Sequence, residues 1–206
     1  MRKVHRSERG ISLVEMVVVV AIIMIVTATS VIQTPGSFAN YRANSAMDIT
    51  MSQLRIARQL GISQRRAVLI TFNTGVNPPT VSYQVQARPS VAGDTVGPVV
   101  TQPLPGQTSF MEESGAPDTP MGFGTCSGSP VCIGGTCVPG SMYFTSTGQF
   151  SSDQDGIFPC NGTLFIGMTS KPFTARAVTI MGATGRVRPY TFIGPVGGSS
   201  AQVWME

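Results

Sequence analysis

A chain of 206 residues carries 14 Lys and Arg against 10 Asp and Glu, a formal charge of +4, with 23 Gly, 15 Pro, 4 Cys and only 12% charged residues. That length allows one globular domain with a sizeable core beyond any anchor segment, and Gly and Pro at low charge density point to turn-rich β-structure. The single histidine, His5, lies in the first ten residues with Arg2, Lys3, Arg6, Arg9 and Glu8; without them ten basic residues face nine acidic ones. Bulk charge therefore selects no polyanionic partner, and the remainder lacks the commonest general base and metal ligand.

After this basic leader comes Arg9-Gly10-Ile11-Ser12-Leu13-Val14-Glu15-Met16 and a run of aliphatic residues. From Ile11 to Ile32 there is no Lys or Arg. A helix of that length reaches roughly 33 Å, enough for a bilayer core. Glu15 is the exception inside it, and a lone carboxylate in apolar surroundings is costly unless a partner meets it. The basic excess ahead of the run predicts a cytoplasmic N-terminus with the following chain translocated. Two other readings compete: a secretory signal cut near Ala28-Thr29-Ser30, and an uncleaved anchor on some other periplasmic domain.

The basic leader ending in Gly10, then Ile-Ser-Leu-Val-Glu and an unbroken aliphatic run, resembles the signal of type IV prepilins and type II secretion pseudopilins. The resemblance implies cleavage between Gly10 and Ile11 by a prepilin peptidase, methylation of Ile11, and anchorage in the bacterial inner membrane with the C-terminal domain in the periplasm. It further implies assembly with other pilins or pseudopilins, in which Glu15 sets subunit register. The usual first mature residue is Phe, from which Ile11 departs. A freed ammonium on Ile11 of one subunit is a chemically sensible partner for Glu15 of another.

Further along, Pro35-Gly36 predicts a kink or break. The helical pattern then resumes to about Ile62, with Asn44, Asp48, Ser52, Arg55 and Gln59 on a polar stripe and Phe38, Ala46, Ile49, Ile56, Ala57 and Leu60 opposite. Gly61 is the expected stop. The order of helix end, basic turn Arg65-Arg66 and Val-rich strand is similar to the GspH/FimT branch of the pseudopilins. Strands are expected over 67–72, 81–86, 142–144, 148–150, 164–166 and 176–181, with weaker candidates at 96–100 and 108–111. The run through Gly182-Ala183-Thr184-Gly185 into Arg186-Val187-Arg188 reads as a hairpin, and Val203-Trp204-Met205 as the pinned part of the tail.

The expected fold class is thus α+β, a long kinked N-terminal helix on an antiparallel sheet. Its parts are a leader at 1–10, an assembly helix at 11–34, an amphipathic continuation at 35–62 and a β-rich domain at 63–206 with a Cys-rich insertion around 112–140. Cys126, Cys132, Cys137 and Cys160 lack the C-x-x-C spacing of a zinc knuckle, and translocation would oxidise them to two disulfides of unspecified pairing. A zinc tetrathiolate is the alternative. No paired carboxylates or nucleophile-and-base arrangement stands out, so no catalytic residue, metal or cofactor is expected. Gly185-Arg186-Val187-Arg188 matches the Gly-Arg-x-Arg motif of FimT-type minor pilins, and that resemblance implies Arg186 and Arg188 as contacts to double-stranded DNA; Arg176, on the pairing strand, would extend the patch. In a strand the two guanidiniums share a face, about 7 Å apart. The plainer reading of the same residues is a solvated strand edge. Likewise Arg65-Arg66 reads first as a helix C-terminal charge, and only if clustered with Arg55 and Arg58 as a contact for an acidic neighbour.

Overall fold

A computed structural model describes residues 12–32, 34–88, 94–112, 119–120, 123, 126, 129–134, 142–194 and 203–206. The chain divides into two compact units, Met1–Phe38 and Ala39–Glu206. In the first, helix α1 (Leu13–Ile32) contains Glu15 in its first turn. Ser12 opens it by accepting the Met16 amide at 3.1 Å. Thr27 returns its hydroxyl to the carbonyls of Ile23 and Met24 at 2.9 and 3.0 Å, so this polar group needs no outside partner. All residues from 12 to 28 are exposed. Among the described residues no helix is long and apolar enough to cross a membrane. The expected span begins at Ile11, which with Gly10, the expected cleavage residue, lies outside the described residues.

Helix α2 (Thr34–Gln64) carries Pro35 in its first turn, where the absent N–H has no intrahelical acceptor to lose. In the second unit its buried face is Ala39, Ala43, Ala46, Thr50, Leu54, Ala57 and Gly61, recurring every three or four residues. These mostly small side chains let the helix lie close to the sheets. The expected polar stripe is exposed throughout. Ile56, expected in the apolar face, is instead 42% exposed because it falls between Ser52 and Gln59 on that stripe, and Phe38 is also exposed.

The stop is not at Gly61. The helix continues to Gln64, and Arg65 turns left-handed at φ 49°. The Arg66 amide then reaches Gly61 O at 3.1 Å and the Arg65 amide Ile62 O at 3.3 Å, a Schellman closure with arginine where glycine is usual. Gly61 serves packing: a Cβ there would lie 2.9 Å from Thr145 O. Arg65→Gly is therefore expected to stabilise the domain by about 0.5–1 kcal/mol, read by urea unfolding followed through Trp204 fluorescence.

Two antiparallel sheets follow. The first has the order β3 (Val99–Pro103), β2 (Thr80–Val85), β1 (Val68–Asn73), β6 (Met142–Phe144), β7 (Phe150–Ser151). The second runs β11 (Val203–Met205), β10 (Arg186–Ile193), β9 (Arg176–Met181), β8 (Asn161–Gly167), β4 (Ser109–Phe110), with β5 (Val131–Gly134) also paired to β8. Apolar residues at period two from both sheets, among them Val68, Ile70, Phe144, Phe150, Leu164, Ile166, Val178 and Ile180, enclose one core with Ala46, Leu54 and Ala57 of α2. Each fully buried Phe or Leu contributes about 1.5–3 kcal/mol. On the opposite face of the second sheet, Phe165 and Ala177 pack with Trp204, whose ring centre lies 5.9 Å from Phe165 and 5.7 Å from Phe192. This pins the tail strand as expected.

The sheets meet at Phe150, whose amide donates to Gly182 O and whose carbonyl accepts from the Cys160 amide, both at 2.9 Å. Strand β5 lies in the stretch expected to be irregular. It pairs with β8 over Val131–Gly134, and Cys132 is joined to Cys126 across a Cα separation of 5.5 Å. Cys160 is also disulfide-bonded. Cys137 lies outside the described residues.

Candidate functional site

The hairpin between β9 and β10 is built around Gly185 at φ 62°. Its amide bonds to Met181 O at 2.7 Å, while the Arg186 amide donates to Thr184 Oγ1 at 3.3 Å. Across from it the β6–β7 turn uses Gly148 at φ 83°. Arg58 of α2 ties the two turns together, its Nε donating to Gly148 O and Thr184 O at 3.2 Å each. A Cβ on Gly185 would stand 2.0 Å from Gly148 O and 2.9 Å from Arg58 Nε. The glycine of the Gly-Arg-x-Arg sequence thus answers to a close approach of backbone and helix side chain.

Along β10, Val187 is buried and Arg186 and Arg188 point to the other face, as the strand period requires. Their environments differ. Arg186 is exposed, and its side chain makes no ion pair among the described residues. Arg188 pairs through Nη1 with Glu206 Oε2 at 2.8 Å. Beside Arg186 lies an open groove of about 530 Å³, lined by Arg55, Arg58, Gln59, Thr184, Gly185, Arg186 and Val187. Sequence alone did not join the α2 arginines to this hairpin, because 126 residues separate Arg58 from Thr184.

Arg176 does not extend that patch. It is 4% exposed and lies under α2, Nε donating to Asn44 Oδ1 at 2.8 Å and Nη2 to Asn40 Oδ1 at 3.3 Å. Its Nη1 donates to Phe173 O and Ala175 O at 3.1 and 3.0 Å. Burial without a carboxylate lowers its pKa from the ordinary arginine value. The residue is a structural cation that fastens the helix to β9. A charged residue at a strand start normally reads as surface, and only the two Asn of α2, one turn apart, hint otherwise.

Arg66 and Arg88 are likewise engaged. Asp94 accepts from the Arg88 amide and Nε at 3.0 and 2.9 Å and lies 3.4 Å from Arg66 Nη2. These Arg88 hydrogen bonds, with the positive charges of Arg88 and Arg66, hold the Asp94 carboxyl below its usual value. Arg66 also donates from Nε to Gln86 O at 2.8 Å. Asp153 organises the turn after β7: burial alone would raise its pKa, but bonds from Ser151 Oγ and the Ile157, Phe158 and Gly156 amides outweigh it and lower the value. Its carboxylate is thereby committed to folding.

Residues 5–31 match the prokaryotic N-terminal methylation motif. Among solved structures, the crystal structure of the type IV minor pilin FimU from Pseudomonas aeruginosa is similar at 20% identity, covering 71% of this chain and 90% of that one, with a TM-score of 0.37. No curated protein sequence matches the chain. Glu15 falls inside the matched segment, in the first turn of α1. The N-terminal segment of the chain is thus similar to that of prepilin-like proteins, and it precedes a helix packed on antiparallel sheets.

Proposed function

We propose that the chain is a minor pilin or pseudopilin of the GspH/FimT kind, a structural subunit of a type II secretion pseudopilus or type IV pilus. A prepilin peptidase removes residues 1–10, Ile11 is methylated, and the mature chain waits in the inner membrane with its β-rich domain in the periplasm. Subunits then pack through the helices that follow Ile11. The observation that carries this reading is Glu15, exposed in the first turn of an otherwise uncharged, mostly apolar helix within the methylation motif. Such a carboxylate needs a cation, and the Ile11 ammonium of a neighbouring subunit supplies one at the depth where it is needed.

Glu15→Ala is expected to leave membrane insertion unchanged, since it removes the one ionisable group from the apolar run. The same change should abolish incorporation into filaments, measured by shearing and sedimentation of surface fibres. Normal incorporation of the variant would refute the pairing.

DNA capture for uptake is the other reading of Gly185-Arg186-Val187-Arg188. Arg186 is free to serve it, whereas Arg188 would first have to leave Glu206.

A further inference from the structure

Three guanidiniums from two distant parts of the chain, Arg55 and Arg58 on α2 and Arg186 on β10, line the groove of about 530 Å³. The groove lining contains no carboxylate, and none of the three is in an ion pair among the described residues. Arg55 makes only a long contact from Nη2 to Met51 Sδ at 3.9 Å. The Arg58 Nε is held by Gly148 O and Thr184 O, so its terminal amino groups are presented from a fixed position without further cost in side-chain entropy. Gathering three like charges in one concavity is unfavourable unless an anion completes it.

We propose that this groove is a docking socket for an acidic segment of a neighbouring protein subunit, a proposal that rests on the filament role above. Carboxylates fit better than a nucleic-acid backbone for three reasons. The three cations line one groove contributed by two elements, and the next cation along β10, Arg188, is already paired with the carboxylate of Glu206. The lining holds no aromatic side chain on which a base could stack. The chain beyond residue 10 has only one more basic than acidic residue, so counterion release would contribute little to polyanion affinity. Arginine forks pair with carboxylates in two parallel hydrogen bonds, which gives such a socket direction as well as charge.

The test is fluorescence anisotropy of a labelled hexaglutamate peptide titrated with the full-length chain in non-ionic detergent, beside a short DNA duplex. Arg55 and Arg186 are exposed and carry no structural side-chain bond, so the doubly substituted R55Q/R186Q chain is expected to fold, as Trp204 fluorescence will report. The peptide should bind, weaken as salt is raised, and lose about tenfold in affinity in that variant, while Arg65→Gln outside the groove leaves it unchanged. Absence of peptide binding, equal binding by the double variant, or tighter binding of the duplex through the same two arginines would overturn the socket. Because no filament is needed in this measurement, its failure leaves the Glu15 result standing, and normal assembly of Glu15→Ala would refute the filament role separately.

Discussion

Gly185→Ala is expected to destabilise the domain by about 3 kcal/mol. The alanine would have to hold a left-handed backbone at φ 62°, costing about 1 kcal/mol, and its methyl would sit 2.0 Å from Gly148 O. Nothing soft is available to yield, because the neighbour is the backbone of another tight turn that is itself built on a positive-φ glycine. Relief would require the β9–β10 hairpin to move off Arg58, breaking the bonds by which α2 holds both turns and adding about 1–3 kcal/mol of overpacking strain. Urea denaturation of the full chain in detergent, followed by Trp204 fluorescence, would show a lower midpoint at unchanged slope. Arg58→Met, which keeps an unbranched side chain but has no N–H to donate to Gly148 O and Thr184 O, should give a smaller loss of about 1 kcal/mol.

Arg176→Met should cost a similar amount, about 3 kcal/mol. The substitution keeps most of the buried volume but leaves Phe173 O and Ala175 O without their donor and frees Asn40 and Asn44 from β9. Hydrogen bonds to a charged donor contribute about 1.5–3 kcal/mol, the most for the buried bond to Ala175 O and less for the exposed Asn44, which water can reach. Removing a buried cation with no carboxylate partner offsets part of this loss, which is why the sum stays below the four bonds taken separately. Arg176→Lys keeps the charge but not the planar fork, so a single ammonium must choose among acceptors on two sides and an intermediate loss is expected. A neutral Met variant would show that the asparagines and carbonyls find other partners, and that the helix is held by its small-residue face alone.

The N-terminal signal was legible because its chemistry is local: a basic leader, Gly10, an aliphatic run and one acid at Glu15 need no tertiary context. Most strands were legible for a similar reason. Alternation in β2 and the apolar runs of β1, β8 and β9 require burial on at least one face, and the hairpin before Arg186 carries glycines where its turn bends. What escaped was set by contacts distant in sequence. Phe38 and Ile56 looked like core residues until the stripe Ala39, Ala43, Ala46, Ala57 and Gly61 showed that close approach, not side-chain size, chose the buried face of α2. The helix end at Arg65 has no sequence signal, because arginine rarely takes a left-handed conformation. Strand β5 was hidden among Gly, Pro, Ser and Cys, and is ordered by pairing with β8 and the bond between Cys126 and Cys132. At the candidate site, Arg186 and Arg188 were visible as a pair, yet the grouping that the fold produces is Arg186 with Arg55 and Arg58, and Arg188 with Glu206.

The pairing of Glu15 with a subunit's new N-terminus requires that such a terminus exist. Intact-mass and N-terminal sequence analysis of the polypeptide purified from membranes of cells producing a prepilin peptidase tests this directly. A chain beginning at Ile11 and carrying one added methyl group is the predicted result; a start at Met1, or one beyond Ser30, would contradict the account.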